Sequence, residues 1–167
     1  PCRLNPPRDE QGAARAAQGY ARAPGRVGLC LWPSGPGATN LLTGIADAML
    51  DSTPLVCITG QVPSTMLGTD AFQEADIISM TMPITKWNYQ VTSPGEVAPA
   101  VARAFYIART GRPGQVLIDI TKDAQVGITD FLYKPCPGIR SYNPHPQPDD
   151  EAMSMATEML NSSERPL

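Results

Sequence analysis

The sequence has few charged residues and no excess of positive charge. Charged residues make up 17% of its 167 residues, below the roughly one quarter that is usual for globular domains. The formal net charge is −3, so the chain lacks the basic field that holds nucleic acid or an anionic membrane. No apolar run approaches the ~20 residues that cross a bilayer, and the first ten residues show no signal-peptide pattern. Apolar residues still make up 42%, which predicts a folded domain with a core.

Patterns for metal binding and for nucleophilic catalysis are missing as well. The four cysteines, Cys2, Cys30, Cys57 and Cys136, form no C-x-x-C pair. They are therefore interpreted as small hydrophobic side chains of a reduced compartment, in preference to a disulfide or zinc framework. The only histidine, His145, lies among prolines and is a poor catalytic candidate. No Ser-His-Asp triad can be assembled from the sequence.

Short apolar segments alternate with segments of helical periodicity. Strands of the type buried on both faces are predicted at 27–32, 55–59 and 116–120, with a weaker strand at 85–91. Helices are predicted at 9–23, 38–50 and 74–81, and at 97–110 after a capping box, Ser93-Pro94-Gly95-Glu96. This alternation indicates βαβ units. The predicted fold class is α/β, a parallel sheet with helices on both faces.

Proline divides the later part of the chain. Of its 18 prolines, five lie within 131–148, which indicates an extended linker. An acid-capped helix at 149–161 follows, with Met153, Ala156, Met159 and Leu160 predicted to face inward. We interpret it as the start of a second domain, and we expect the strand before the first helix to be missing. The predicted division is a domain at 1–125, a linker at 126–148 and the start of a central domain at 149–167.

Two loops follow predicted strands, at the edge where open α/β sheets bind ligands. In the first loop, Gly35 and Gly37 allow the backbone to approach a ligand closely. This loop lacks the spacing of a dinucleotide fingerprint and the lysine of a P-loop. In the second loop, two interpretations stay open. Either Thr69 and Asp70 cap a short helix while Phe72 packs beneath the loop, or Phe72 and Gln73 face a pocket.

Three further charged positions have an ordinary and a functional interpretation. Glu10 lies in a first helical turn, where a carboxylate usually interacts with the helix dipole. It has a functional role only if it lies beside a titrating heterocycle. Lys122 and Arg112 lie at element ends, where solvated charges are common.

The motifs between Arg8 and Gln125 resemble those of one family. The strings S-G-P-G-A-T-N at 34–40 and G-T-D-A-F-Q-E at 68–74 are its most specific marks. They are similar to the large, catalytic subunit of acetolactate synthase, also called acetohydroxyacid synthase, an enzyme that uses thiamine diphosphate. Further matching strings are D-E-Q-G-A at 9–13, G-I-A-D-A at 44–48, P-L-V-C-I-T-G-Q-V-P at 54–63, T-K-W-N-Y at 85–89, G-R-P-G at 111–114 and V-L-I-D-I at 116–120. The matching part corresponds to the pyrimidine-binding domain without its first strand and helix.

The resemblance implies a role for each matching position. Glu10 matches the glutamate that bonds the aminopyrimidine ring of the cofactor, and Lys122 matches a lysine that lines the substrate approach. Arg112 matches an arginine that contacts FAD. The other matches are Gln73 as a polar group near the reacting centre, Phe72 as a pocket wall, Pro63 and Ala71 at the channel mouth, and Gly35 and Gly37 beside the cofactor.

The resemblance also implies an activity and its surroundings. The family decarboxylates pyruvate and joins the two-carbon unit to a second 2-keto acid, pyruvate or 2-ketobutyrate, in branched-chain amino acid biosynthesis. Its diphosphate and Mg²⁺ site lies on a C-terminal domain whose G-D-G motif is not found here. The implied assembly is a homodimer or tetramer with a small regulatory subunit, in the cytoplasm or, in a plant, in the plastid. The isolated chain is expected to be inactive.

Two alternatives stay open beside this interpretation. One is a sister enzyme of the pyruvate oxidase or glyoxylate carboligase type, and the other is a non-catalytic, stand-alone domain. The sequence also departs from the family pattern at several positions. These are Asp9 where histidine is usual, Trp32-Pro33 in place of a smaller pair, Gln115 where proline is usual, and Pro6-Pro7 in an expected strand.

Overall fold

A computed structural model describes residues 5–165 of the chain. Cys2 and the rest of 1–4 lie outside the described residues. The helices are α1 Glu10–Arg22, α2 Pro36–Asn40, α3 Leu42–Leu50, α4 Ile77–Thr81, α5 Val97–Arg109, α6 Lys122–Val126 and α7 Asp150–Ser162. The strands are β1 Gly28–Trp32, β2 Leu55–Gln61, β3 Trp87–Val91 and β4 Gln115–Thr121, and short 3₁₀ turns lie at Ser64–Met66, Met82–Ile84 and Pro94–Glu96.

The strands form one parallel sheet in the order β1-β2-β4-β3. Leu55 pairs with Gln115 and Gln61 with Thr121, so β2 and β4 are in register along their whole length. The β4 residues are all buried. The predicted α/β class is therefore confirmed, and each predicted strand is present within one or two residues of its predicted bounds.

Helices cover both faces of this sheet. On one face, α1, α3 and α4 pack on Cys57 of β2 and Leu117 of β4. On the other face, α5 and α6 pack on Val116, Ile118 and Ile120 of β4. Because neighbouring residues of a strand point to opposite faces, β4 contributes to both apolar clusters. The predicted placement of helices on both faces is confirmed.

Small side chains bring α1 close to its neighbours, as the alanine and glycine content of this helix predicts. A Cβ on Gly44 of α3 would lie 2.5 Å from Cβ of Ala14, and one on Gly28 of β1 would lie 2.3 Å from the carbonyl oxygen of Ala17. The amide of Gln18 also donates a buried 2.7 Å hydrogen bond to the carbonyl oxygen of Gly44. These contacts hold the first turn of α1 at the carboxyl end of β1.

The environment of β1 differs from the prediction. β1 is an edge strand, and Leu29 and Leu31 remain 39% and 51% exposed. Cys30, which lies between these two leucines, is buried. Burial on both faces was therefore the wrong prediction for β1, because α5 packs on β2, β3 and β4 and leaves one face of β1 open.

Two helix starts also differ. The predicted helix at 38–50 is divided into α2 and α3, where the N–H of Leu41 bonds to the carbonyl oxygen of Ala38 in a tightened turn. The predicted capping box before α5 does not form. The N–H of Glu96, which the Ser93 hydroxyl was predicted to bind, donates to the Ser93 backbone oxygen instead.

The segment 127–149 has no helix or strand apart from a single bridge between Ile139 and Tyr142. The Tyr142 hydroxyl donates a 2.7 Å hydrogen bond to the carbonyl oxygen of Thr110, which ties this segment to the end of α5.

In α7, Asp149 caps the helix as its acidic start predicts. Its apolar side is exposed, because nothing within 5–165 packs on it. The inward orientation was predicted within a second domain and stays a prediction. Met153, Ala156, Met159 and Leu160 are all exposed. None of the described helices is long and apolar enough to span a membrane.

Candidate functional site

Glu10 lies at the carboxyl edge of the sheet, where its two carboxylate oxygens accept hydrogen bonds from two other elements. The indole Nε1–H of Trp32, at the end of β1, donates 2.7 Å to Oε1. The amide Nδ2–H of Asn40, in α2, donates 3.1 Å to Oε2. Glu10, the first residue of α1, therefore links this helix to β1 and to α2 through its side chain.

The pKa of Glu10 is lowered from its ordinary value. Hydrogen bonding to the backbone at the start of α1 is the largest cause, and the Trp32 indole is the next. Partial burial and the neighbouring carboxylate of Asp9 act in the opposite direction. Because donors favour the charged form of a carboxyl group, the side chain is held as a carboxylate.

The glycines of the first loop are explained by contacts with protein atoms. A Cβ on Gly35 would lie 2.8 Å from the backbone oxygen of Gln73, and one on Gly37 would lie 2.6 Å from Cδ1 of Trp32. Gly35 also has a φ of +62°, which strongly favours glycine. A side chain at either position would therefore overlap with Gln73 or Trp32, and the predicted approach of a ligand to this loop stays a prediction.

The second loop is held by Glu74. Its carboxylate accepts from the backbone N–H groups of Gly68, Thr69 and Ala71, and these bonds lower the pKa of Glu74. The predicted cap by Thr69 and Asp70 is wrong. Asp76 caps α4 instead, by accepting 3.1 Å from the N–H of Ser79.

The side chains at the tip of this loop point away from the core. Phe72 is 88% exposed, so the prediction that it packs beneath the loop is wrong. Gln73 is exposed and has a φ of +61°, which places an ordinary residue in the left-handed region. Ala71 is half-buried beside them. The backbone of Gln73 contacts the first loop, so the two predicted loops lie together.

Lys122 and Pro63 lie at the same edge of the sheet. Lys122 is exposed at the start of α6, and its backbone N–H donates 3.4 Å to the carbonyl oxygen of Val62. Next to it, the carboxylate of Asp123 accepts from the backbone N–H and the hydroxyl of Ser64 at 2.9 and 2.5 Å. These bonds fix the turn after Pro63 against α6.

Arg112 lies at the opposite edge. It precedes β4, and its Nε donates 2.6 Å to the hydroxyl of Ser52, which precedes β2. The structure therefore brings together Glu10, Gly35, Gly37, Pro63, Ala71, Phe72, Gln73 and Lys122 at the carboxyl edge of the sheet, and it separates Arg112 from them.

A buried carboxyl group lies in the sheet beneath the second loop. Asp119 of β4 is fully buried and accepts from Thr59 at 2.7 Å, from Gln61 at 3.0 Å and from Gln90 at 3.1 Å. The amide of Gln61 also donates 2.8 Å to the carbonyl oxygen of Ala75 at the end of the loop. Burial raises the pKa of Asp119, and the three hydrogen bonds oppose that effect.

Sequence reasoning missed several of these residues. Asn40 and Trp32 were not predicted to bond to Glu10, because the pairing is long-range in the chain and depends on the packing of α1. Asp119 carried a usable signal. A carboxylate within the apolar string V-L-I-D-I must find donors if it is buried.

Comparison with known proteins shows which proteins this chain resembles. The family described as "Thiamine pyrophosphate enzyme, N-terminal TPP binding domain" matches residues 2–80. The acetolactate synthase large subunit of Corynebacterium glutamicum is 52% identical over 160 residues, which is 96% of this chain and 26% of that protein. This chain is therefore similar to acetolactate synthase over almost its whole length, and residues 2–80 match the N-terminal domain of thiamine pyrophosphate enzymes. Acetolactate synthase of Mycobacterium bovis is 49% identical, and the chloroplastic acetolactate synthase of Arabidopsis thaliana is 46% identical, each over 96% of this chain.

The chain spans about a quarter of the length of the curated relatives it matches. The family resemblance predicted from the motifs is thereby confirmed.

Thiamine pyrophosphate, which is the same compound as thiamine diphosphate, fits this edge at its pyrimidine end. A carboxylate offers about four lone-pair positions, and Trp32 and Asn40 occupy two of those on Glu10. Glu10 is only half-buried, so it can accept from or share a proton with a ring nitrogen. For the magnesium ion, no group of three acidic, histidine or cysteine side chains suited to a metal exists among residues 5–165, and no ligand is assigned to it.

Proposed function

We propose that this chain supplies the pyrimidine-binding part of an acetolactate synthase large subunit. The enzyme would decarboxylate pyruvate and join the remaining two-carbon unit to a second 2-keto acid, pyruvate or 2-ketobutyrate, in branched-chain amino acid biosynthesis. The observation that carries the proposal is the near 50% identity over 96% of the chain to acetolactate synthases. The Glu10 carboxylate, held at the carboxyl edge of the sheet, supports it.

Glu10 is proposed as the group that holds and moves a proton at the aminopyrimidine ring nitrogen. Thiamine diphosphate, when bound, supplies the electron sink that makes decarboxylation of a 2-keto acid possible. The part of the protein is to place a carboxyl group at that nitrogen with the right charge and orientation. The hydrogen bonds from Trp32 and Asn40 restrict the rotation of the Glu10 carboxylate, which supports this role.

The second loop and Lys122 are proposed to line the substrate approach. Gln73 would donate a hydrogen bond near the reacting carbon, and Phe72 would form an apolar wall, which agrees with their exposure beside the first loop. Lys122 would attract the carboxylate of a 2-keto acid. Pro63 and Ala71 are proposed to lie at the mouth of the channel, because they precede the turn and the loop tip at the same edge.

The remaining cofactors and partners follow from the family alone. Arg112 is proposed to contact FAD at a place separate from the carboxyl edge, and Mg²⁺ is proposed to accompany the diphosphate. The active site is proposed to form in a homodimer or tetramer with a small regulatory subunit, in the cytoplasm or a plastid. Because the chain spans about a quarter of its relatives, we propose that these 167 residues alone form no acetolactate.

A chimaera tests the activity. The matching 160 residues of the Corynebacterium glutamicum large subunit are replaced by those of this chain, and the purified protein is supplied with thiamine diphosphate, Mg²⁺ and FAD. The expected result is acetolactate from pyruvate and acetohydroxybutyrate when 2-ketobutyrate is added. The isolated chain under the same conditions is expected to give neither product.

The same assay separates the alternatives. Acetyl phosphate with consumption of oxygen would indicate the pyruvate oxidase type, and carboligation of glyoxylate would indicate the glyoxylate carboligase type. A folded chimaera that gives no product, although the parent enzyme is active, would contradict the proposal and favour a non-catalytic domain.

A further inference from the structure

The indole of Trp32 fills the space between the proposed proton-handling carboxylate and the first loop. Its Nε1–H donates to Oε1 of Glu10 at 2.7 Å. The same Nε1–Cδ1 edge of the ring lies against Gly37, where a Cβ would approach Cδ1 to 2.6 Å and Nε1 to 2.9 Å. The donor edge of the indole thus packs against the first loop, and its N–H is directed at Glu10.

The arrangement leaves the Glu10 carboxylate little freedom. Asn40 holds Oε2 from α2 while Trp32 holds Oε1 from the end of β1. Two donors on different elements fix the plane of a carboxylate, and donors to the charged form also stabilise that form. Trp32 is the shorter of the two contacts, and its ring is packed in place, so it is the more constraining partner.

We propose that Trp32 is a positioning residue for Glu10. The indole N–H of Trp32 orients the Glu10 carboxylate and favours its charged form. The catalytic consequence rests on the proposed function, but the link between the two side chains does not. In the enzyme, the indole would set how readily Glu10 shares a proton with the pyrimidine nitrogen. A residue without a donor at position 32 would leave Oε1 to water.

The charged surroundings of Glu10 are simple, which makes its titration interpretable. Asp9, on the same helix, is the neighbouring charge that acts on it, and it disfavours the carboxylate. The two elements whose side chains bond to Glu10 bring no charged residue, since β1 and α2 consist of G-L-C-L-W and P-G-A-T-N. Hydrogen bonding to the backbone at the start of α1, followed by the bond from the Trp32 indole, therefore accounts for the lowered pKa of Glu10.

The experiment is a pH titration of the full chain, monitored by nuclear magnetic resonance. The two indole ¹⁵N–H signals, of Trp32 and Trp87, are assigned with Trp87→Phe, and the side-chain carboxyl ¹³C signal of Glu10 is followed in parallel. We expect the Trp32 signal to move with the same midpoint as the Glu10 signal and to lose that transition in Glu10→Gln. In Trp32→Phe, the midpoint of Glu10 is expected to move to higher pH.

Trp87→Phe is the matched control, because Trp87 stacks on Tyr89 at 5.5 Å between ring centroids and has no bond to Glu10. It is expected to leave the Glu10 midpoint unchanged. The proposal is overturned if the Trp32 signal does not follow Glu10, or if Trp32→Phe leaves the Glu10 midpoint where it is. If Trp32→Phe does not fold, the comparison of wild type with Glu10→Gln still decides. None of these signals requires an active enzyme, so failure of the proposed function is recognised separately by the product assay.

Discussion

Gly35 and Gln73 are in backbone contact, although they belong to two different loops. A Cβ on Gly35 would lie 2.8 Å from the carbonyl oxygen and 2.9 Å from Cα of Gln73. Both residues have a positive φ, +62° and +61°. The loop after β1 and the loop after β2 therefore form one unit, and the conformation of each depends on the other.

Replacing Gly35 by alanine is expected to destabilise the protein by about 2–6 kcal/mol. The estimate combines the strain of a left-handed backbone and the overlap with Gln73, each costing about 1–3 kcal/mol. Urea unfolding at neutral pH measures it. Gly25→Ala is the control, because Gly25 has a φ of +66° and open space around its Cβ, so its loss is expected to be about 1–2 kcal/mol. An equal decrease in the free energy of unfolding for the two variants would show that the Gly35–Gln73 contact does not contribute to stability.

Asp119 is expected to make stability depend on pH. Because burial raises its pKa above the ordinary 3.8, the folded state keeps its proton to a higher pH than the unfolded chain. Its contribution to stability is therefore full below pH 3.8 and is lost as the pH rises through the raised value. The difference in free energy of unfolding between wild type and Asp119→Asn should therefore decrease as the pH is raised from 3 to 7. A difference that is constant, or that rises, would contradict this assignment.

The donors around Asp119 are expected to make its removal costly. Asp119→Leu leaves Thr59, Gln61 and Gln90 without their acceptor inside the protein, which costs about 3–5 kcal/mol. Asp119→Asn keeps an oxygen acceptor and has a similar shape, so it should cost clearly less. Chemical unfolding of the two variants at one pH compares them directly. A cost for asparagine equal to that for leucine would exclude hydrogen bonding as the reason.

The contact between Ser64 and Asp123 is expected to contribute to acid sensitivity. The hydrogen bonds from Ser64 lower the pKa of Asp123 from 3.8, so its stabilising contribution is present above that pH and is lost as the pH falls below it. Ser64→Ala removes the hydroxyl donor, and it should lower stability at pH 6 more than at pH 2. Ser93→Ala is the control, because the Ser93 side chain caps no helix. Equal effects of Ser64→Ala at both pH values would refute the coupling.

The cysteines are expected to differ strongly in reactivity. Cys30 and Cys57 are buried with their sulfurs 3.3 Å apart, and the contact with Cys30 together with burial raises the pKa of Cys57. Cys136 is partly exposed. In native protein, iodoacetamide should modify Cys136 at least about 100-fold faster than the buried pair, because reaction of the pair requires the sheet to open. Peptide mapping measures the rates, and similar rates for the three would contradict the buried placement.

The strands were predictable because their signal is local. Apolar strings such as V-L-I-D-I mark β4, and the alternation with helical segments indicates a parallel sheet. The exposure of Leu29 and Leu31 was not predictable, since it depends on which strand lies at the edge and on where α5 packs.

The candidate site was predictable as a set of loops and not as a set of contacts. Strand ends place both loops and Lys122 at one edge, as the structure has them. The bond from Trp32 to Glu10 depends on the close approach of α1 to β1, through Ala17 and Gly28, which no local pattern reveals. At the glycines of the first loop, protein atoms of Gln73 and Trp32 come close in the structure, and the place of these glycines beside a cofactor stays a prediction.

The most direct test of the proposed role of Glu10 is the rate of acetolactate formation by two variants of the chimaera, one with Glu10→Gln and one with Asp9→Asn. Both variants remove one carboxylate at the start of α1, and asparagine preserves the cap that Asp9 makes with the N–H of Gly12 at 2.7 Å. Glu10→Gln is expected to lose about 100-fold or more of kcat, because it removes a proton-transfer group, while Asp9→Asn is expected to retain most of it. A folded Glu10→Gln protein with the wild-type kcat would contradict the role of Glu10.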